Sequence, residues 1–153
     1  MSTEVEVQFA SQDPQLPSEA QINTWVEAAL AQYSQQFSLC VRIVDSAESR
    51  GLNKQYRDKD KPTNVLSFCF DMPDCITGET EILGDLVVCA PVVAAESKEQ
   101  NKALFDHWAH MIVHGVLHLL GFDHIKDSEA LEMEQLERDI LAVLAISDPY
   151  KIN

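Results

Sequence analysis

The sequence predicts an α+β fold: a single domain over residues 1–153, with a mixed four-stranded sheet packed against about five helices. Three observations carry this expectation. Runs of strand-like and helical periodicity interleave, but without the regular strand–helix–strand repeat of a parallel α/β sheet. Two of the strand-like runs flank the turn-rich segment 71–81 and should pair antiparallel. The chain has 153 residues and is 46 % hydrophobic, enough for one core that folds without staples.

Each element has its own local signal. Val5, Val7 and Phe9 alternate with polar residues, the pattern of a strand with one buried face. Ser18 followed by Gln21 is a capping-box start. Ile22, Trp25, Val26, Ala29, Leu30 and Tyr33 then recur at helical spacing. Residues 39–44 are apolar and β-branched and predict a second strand. Ser46 is placed to cap a short helix in which Leu52 and Tyr56 face inward. Residues 58–64 include Pro62 and read as a loop, and 65–70 as a third strand. Proline, glycine and acids make 71–81 a turn or loop. Residues 82–90 read as a fourth strand, interrupted near Gly84. Pro91 suits the first turn of a helix running to about Gln100. A longer helix is expected from about Ala103 to Leu120. Asp127 is placed to cap the last helix, with Glu129 near its positive end. Leu131, Met133, Leu136, Ile140, Leu141 and Leu144 supply the apolar side of that helix.

No uninterrupted apolar run is long enough for a membrane span, and the N-terminus carries acids rather than a basic region and an apolar run. The expected location is therefore the cytoplasm. Cys40, Cys69, Cys75 and Cys89 form no Cys-x-x-Cys pair and read as reduced core residues. The net charge is −14, from 25 acids against 11 bases, a field that repels phosphate. The bases are unevenly placed. Arg50, Lys54, Arg57, Lys59 and Lys61 face only Asp58 and Asp60 within 50–61, so that segment is +3 and the rest of the chain −17.

The chemistry-bearing stretch runs from His114 to His124. It sets imidazoles at relative positions 0, 4 and 10 and a glycine at 7. Residues four apart share a helix face, so His114 and His118 can grip one ion. Gly121 can enter the left-handed conformation and stop the helix, letting the chain return His124 to the same ion. Three neutral nitrogen ligands with an open fourth position are the pattern of a catalytic zinc site. Such a site keeps its full positive charge and favours anionic ligands, though ligand type alone does not separate zinc from nickel, copper or iron. His107 and His110 lie on nearly the same face. His107 is about 10 Å along the axis from His114, too far for one ion. Both read best as core histidines, with His110 open to a role beside the ligands.

The stretch resembles the metzincin signature H-E-x-x-H-x-x-G-x-x-H, with Gly115 where those peptidases carry their general-base glutamate. That departure argues against their mechanism of peptide hydrolysis and leaves the metal cage intact. Together with Arg57-Asp-Lys-Asp-Lys-Pro-Thr-Asn-Val-Leu-Ser-Phe68 and Leu83-Gly-Asp-Leu86, the stretch resembles the bacterial YbeY family over nearly the whole chain. The resemblance implies the same α+β architecture. It also implies a single-strand-specific metallo-endoribonuclease, linked to 16S rRNA 3′-end maturation and ribosome quality control. The implied partners are ribosomal RNA, the small subunit and its proteins, and an Era-type GTPase.

Arg57 and His114 are the candidate catalytic residues, and His114, His118 and His124 the candidate ligands of one zinc ion. Arg57 offers phosphate a rigid fork of donors, and the resemblance places the family's arginine in this motif; a salt bridge to Asp58, Asp60 or Asp85 is the competing role. Lys61, Thr63 and Asn64 are candidates for phosphate contact, and Asp85 and Asp123 for orienting a ligand or pairing with Arg57. Two other functional readings compete. One is a metal-dependent hydrolase of another substrate. The other is a binding module for ribosome assembly whose zinc only staples the fold.

Overall fold

The computed structural model describes residues 3–34, 36–69, 80–122 and 127–150. Among them the order is β1 (Glu4–Ala10), α1 (Glu19–Leu30), β2 (Gln36–Val44), α2 (Ser46–Arg57), β3 (Val65–Cys69), β4 (Thr80–Cys89), α3 (Ala90–Glu99), α4 (Leu104–Leu119) and α5 (Asp127–Val143). The sheet order is β1-β2-β4-β3. β1, β2 and β4 run parallel and β3 antiparallel at the edge, so the sheet is mixed as expected. Residues 70–79, most of the expected turn between β3 and β4, lie outside the described residues.

Strand parity splits the core in two. Leu39, Val41 and Ile43 of β2 and Leu86 and Val88 of β4 join α1 and α4 in the main cluster. Val44, Val87 and Cys89 point the other way and meet Leu66, with Leu52 of α2 packed against them. α4 is buried nearly all round, from Trp108 to Leu119, because sheet and helices cover it together. The interruption near Gly84 is a bulge: the register with β2 steps from Ser38↔Ile82 to Leu39↔Gly84, and Gly84 takes φ 140°.

Several local expectations shift. α1 has the full capping box between Ser18 and Gln21. α2 is preceded by Asp45, not capped by Ser46, and the Asp45 carboxylate instead accepts from the Ser11 hydroxyl and the Gln12 N–H. Tyr56 is 53 % exposed rather than inward, lying edge-on to Phe68. Leu131 is 65 % exposed and outside the core. Both sit one helical step from the buried stripe, where spacing alone does not separate a boundary position from an inner one. No helix among the described residues is long and apolar enough to cross a membrane.

Candidate metal centre

α4 carries His107, His110, His114 and His118 in one row, with successive ring centroids 6.1, 6.3 and 4.5 Å apart. The helix ends where Gly121 was expected to end it. Gly121 takes φ 104°, its N–H bonds the His118 carbonyl, and the Phe122 N–H bonds the Leu117 carbonyl. This paired closure is a Schellman turn. It turns the Phe122 carbonyl back onto Nδ1 of His118 at 3.0 Å. A carbonyl only accepts, so Nδ1 of His118 carries the proton and Nε2 the lone pair.

His114 is fixed the same way by a different partner. Its Nδ1 lies 2.6 Å from Oε1 of Glu137, on α5. Glu137 is 0 % exposed. Burial opposes its charge, but bonds from His110, His114 and the Tyr150 hydroxyl outweigh that and hold its carboxyl down at about 2. Being ionised, it accepts from Nδ1–H of His114, which leaves the lone pair on Nε2. The two Nε2 atoms then face each other at 3.0 Å. A proton or a metal ion between them relieves the repulsion of two lone pairs so close. Two neutral imidazole nitrogens aimed at one point are a donor set that fits a divalent ion. His110, His114 and Glu137 are also a group whose ligand atoms lie within 4.8 Å of one another and that could hold a metal ion. His114, Glu137 and Tyr150 line a cleft of about 280 Å³ with Ala130, Met133 and Glu134. His124 and Asp123 lie outside the described residues.

The other histidines differ. His107 is buried against Glu96 at 2.9 Å, and burial pushes its pKa down, the setting of a core histidine. His110 is equally buried, but its Nε2 lies 3.3 Å from both Glu137 and the Tyr150 hydroxyl, which makes it a neighbour of the His114 site.

Arg57 ends α2 and reaches the edge strand. It donates to the Tyr56 and Ser67 carbonyls at 3.2 and 2.9 Å and stacks over the Phe68 ring at 5.2 Å. The Ser67 hydroxyl donates to the carbonyl of Gly115, next to His114, so β3 ties Arg57 to the histidine helix. The competing salt bridge is not formed among the described residues: Asp60 instead takes a two-pronged contact from Arg50. Lys61 is exposed on a loop pinned to α2 by Asn53, which donates to the Lys61 carbonyl, and by Ser49, which bonds both backbone groups of Thr63. Two expectations need correcting. The Asn64 amide is committed, donating to Glu96 and accepting from the Val65 N–H, so it is not poised for substrate. Asp85 neighbours Leu86, which packs on Gly115, so parity turns Asp85 to the opposite face, beside Glu6 and Cys40.

Sequence reasoning missed Glu137 and Tyr150. Glu137 had a signal: it is an acid on the apolar stripe of α5, between Met133 and the Ile140–Leu141 pair. Tyr150 lies beyond α5 and had none.

The family model described as Endoribonuclease YbeY matches residues 6–145. The chain belongs to the YbeY family. A YbeY relative named Endoribonuclease YbeY, from Colwellia psychrerythraea, is 54 % identical over 98 % of both chains. Another of the same name, from Pseudoalteromonas translucida, is 51 % identical over 99 % of this chain and 98 % of its own. The solution structure of TM1509 from Thermotoga maritima shares the fold, with a TM-score of 0.57 at 21 % identity, covering 95 % of this chain and 99 % of that one. In this YbeY chain the position of the metzincin glutamate has a steric reason to be glycine. A Cβ on Gly115 would stand 2.7 Å from Cδ2 of Leu86 and 3.3 Å from Cγ2 of Val65. The histidine helix lies directly on the sheet there, and any longer side chain would have to displace Leu86.

Proposed function

We propose that this chain is a metal-dependent endoribonuclease that cuts single-stranded RNA, acting in 16S rRNA 3′-end maturation and ribosome quality control in the cytoplasm. The observation that carries the reading is the pair of facing Nε2 atoms on His114 and His118, their Nδ1 atoms held by Glu137 and the Phe122 carbonyl. In this proposal His124 completes the ligand set, and the all-nitrogen donors favour zinc. The ion, when bound, would polarise a phosphoryl oxygen and make water a stronger acid there.

The chain's own groups do the rest. Two N–H groups of Arg57 bond carbonyls and its Cζ lies 5.2 Å over the Phe68 ring, which fixes the guanidinium and leaves its other N–H groups for phosphate oxygens. Because that fork is positioned before substrate arrives, it stabilises charge growing on the phosphate without reorganising. Lys61, on its pinned loop, offers a second phosphate contact. RNA as substrate is supported by the names of the relatives at 51 and 54 % identity. Ribosomal RNA, small-subunit proteins and an Era-type GTPase as partners rest on the family resemblance.

The test pairs metal analysis with cleavage of a single-stranded rRNA fragment by the native chain, His114→Ala and Arg57→Ala. The proposal expects His114→Ala to lose both metal and cleavage, and Arg57→Ala to keep metal and lose cleavage. Equal cleavage by all three preparations would overturn it and favour a binding module. A 2′,3′-cyclic phosphate on the product would identify the RNA 2′-hydroxyl as the attacking group.

A further inference from the structure

We propose that Glu137 is a positioning residue for the metal centre, and that Tyr150 locks it from the C-terminal segment. Its carboxylate holds the proton of His114 on Nδ1 and so aims Nε2 at the ion. The inference rests on the reading of His114 and His118 as ligands given above.

A carboxylate that is 0 % exposed is unfavourable unless its oxygens are bonded, and here they are. Oε1 takes His114 at 2.6 Å and His110 at 3.3 Å, and Oε2 takes the Tyr150 hydroxyl. Tyr150 is itself fixed. The Arg138 guanidinium lies 5.2 Å over its ring, and Asp148 accepts from both Arg138 and the Tyr150 N–H. The last described residues of the chain therefore clamp the acid that holds the first candidate ligand.

A direct ligand role for Glu137 competes, with His110 and His114 completing the group; His114 would then have to bind through Nδ1, the ring nitrogen beside Glu137. The distances separate the two. Two ligands on one zinc at about 2.0–2.1 Å stand roughly 3.3 Å apart in a tetrahedral site. The 2.6 Å between Glu137 and His114 is far shorter and has the length of a charge-assisted hydrogen bond. The 3.0 Å between the Nε2 atoms of His114 and His118 is nearer the ligand spacing. The two arrangements also require opposite tautomers of His114.

The experiment uses the full chain labelled with ¹⁵N at histidine, with two-bond ¹H–¹⁵N correlations before and after zinc, and zinc affinity by chelator competition. Thermal unfolding checks that each variant is folded. The native metal-free chain should show His114 protonated on Nδ1, and zinc should shift its Nε2 resonance. Glu137→Gln still presents an accepting oxygen and should keep the tautomer, with affinity within a few-fold. Glu137→Leu should lose the tautomer preference and weaken zinc about 10–100-fold. Tyr150→Phe should weaken zinc by a smaller factor while staying folded. Zinc shifting Nδ1 of His114, or unchanged affinity in folded Glu137→Leu, would overturn the proposal. If Glu137→Leu does not fold, a mixed His114 tautomer in Glu137→Gln, or zinc affinity in folded Tyr150→Phe equal to native, overturns it instead. None of these readouts uses RNA. A chain that passes them and cuts no RNA refutes the proposed function and leaves Glu137 in place. A native chain that binds no zinc refutes the metal reading, while its metal-free tautomer still tests Glu137.

Discussion

Gly115 shows how one residue sets both packing and chemistry. Alanine there would gain helix propensity, about 1 kcal/mol over glycine. The added Cβ, however, would meet Leu86 at 2.7 and 3.2 Å and Val65 at 3.3 Å. Overpacking of this kind costs about 1–3 kcal/mol. Since Leu86 is itself fully buried, the clash wins. Gly115→Ala should lower the thermal midpoint by about 2–4 °C, the size expected for a net loss near 1 kcal/mol. Gly115→Glu should yield no folded protein, because it drives a charge into the sheet contact. An alanine variant as stable as the native chain would show that Leu86 gives way easily. Cys40 supplies a second residue-scale prediction. Burial, then the charges of Asp85 and Glu6, push its thiol up to about 11. At pH 8 on the order of one thiol in a thousand is then the reactive thiolate. Alkylation read by peptide mass spectrometry should be slow at pH 8 and rise toward pH 11. Asp85→Asn removes one repelling charge, lowers the pKa and should speed the reaction; an unchanged rate would remove Asp85 from the account.

The joint between α2 and β3 is an element-scale device. Arg57 spans from the helix end to the Ser67 carbonyl, and the Ser67 hydroxyl reaches the helix of His114. Lysine keeps the charge but has neither the planar fork nor the stacking face that Phe68 supports. Arg57→Lys should therefore keep stoichiometric metal and lose about 100-fold or more in cleavage rate, the range seen when one donor to a developing anion is removed. Unchanged turnover with metal intact would return Arg57 to a structural role. Elements also mark what could be read in advance. The spacing of His114 and His118 and the stop at Gly121 were legible, because helix period and left-handed glycine are local properties. The capping box at Ser18 was legible for the same reason. The face taken by Asp85 was not, since alternation says which residues share a face but not which face meets the histidine helix. Glu137 was half legible as an acid within an apolar stripe. Tyr150 was hidden, because its role depends on α5 returning the chain to α4, a long-range contact with no local pattern.

At the scale of the whole molecule, a net charge of −14 must coexist with an RNA substrate under the proposed function. The bulk field opposes phosphate, so attraction has to be local. The segment 50–61 supplies it at +3, but Arg50 is already spent on Asp60. Lys54, Arg57, Lys59 and Lys61 remain in the last turn of α2 and on the following loop, all exposed, and only Asp58 opposes them, so the free charge is still +3. About three phosphates can thus be neutralised, and single-stranded RNA releases about 0.7 counterion per neutralised phosphate. The logarithm of the binding constant should fall with the logarithm of salt at a slope of about −2, and affinity at physiological salt should be weak. Replacing Lys59 and Lys61 together with alanine should bring the slope to near −1 and leave metal content unchanged. Titration of labelled single-stranded RNA across a salt series measures both. A slope much steeper than −2 would mean that RNA crosses a further basic surface outside 50–61. A slope of about −2 with weak binding would mean that cleavage on the ribosome depends on protein contacts to bring the substrate to this site.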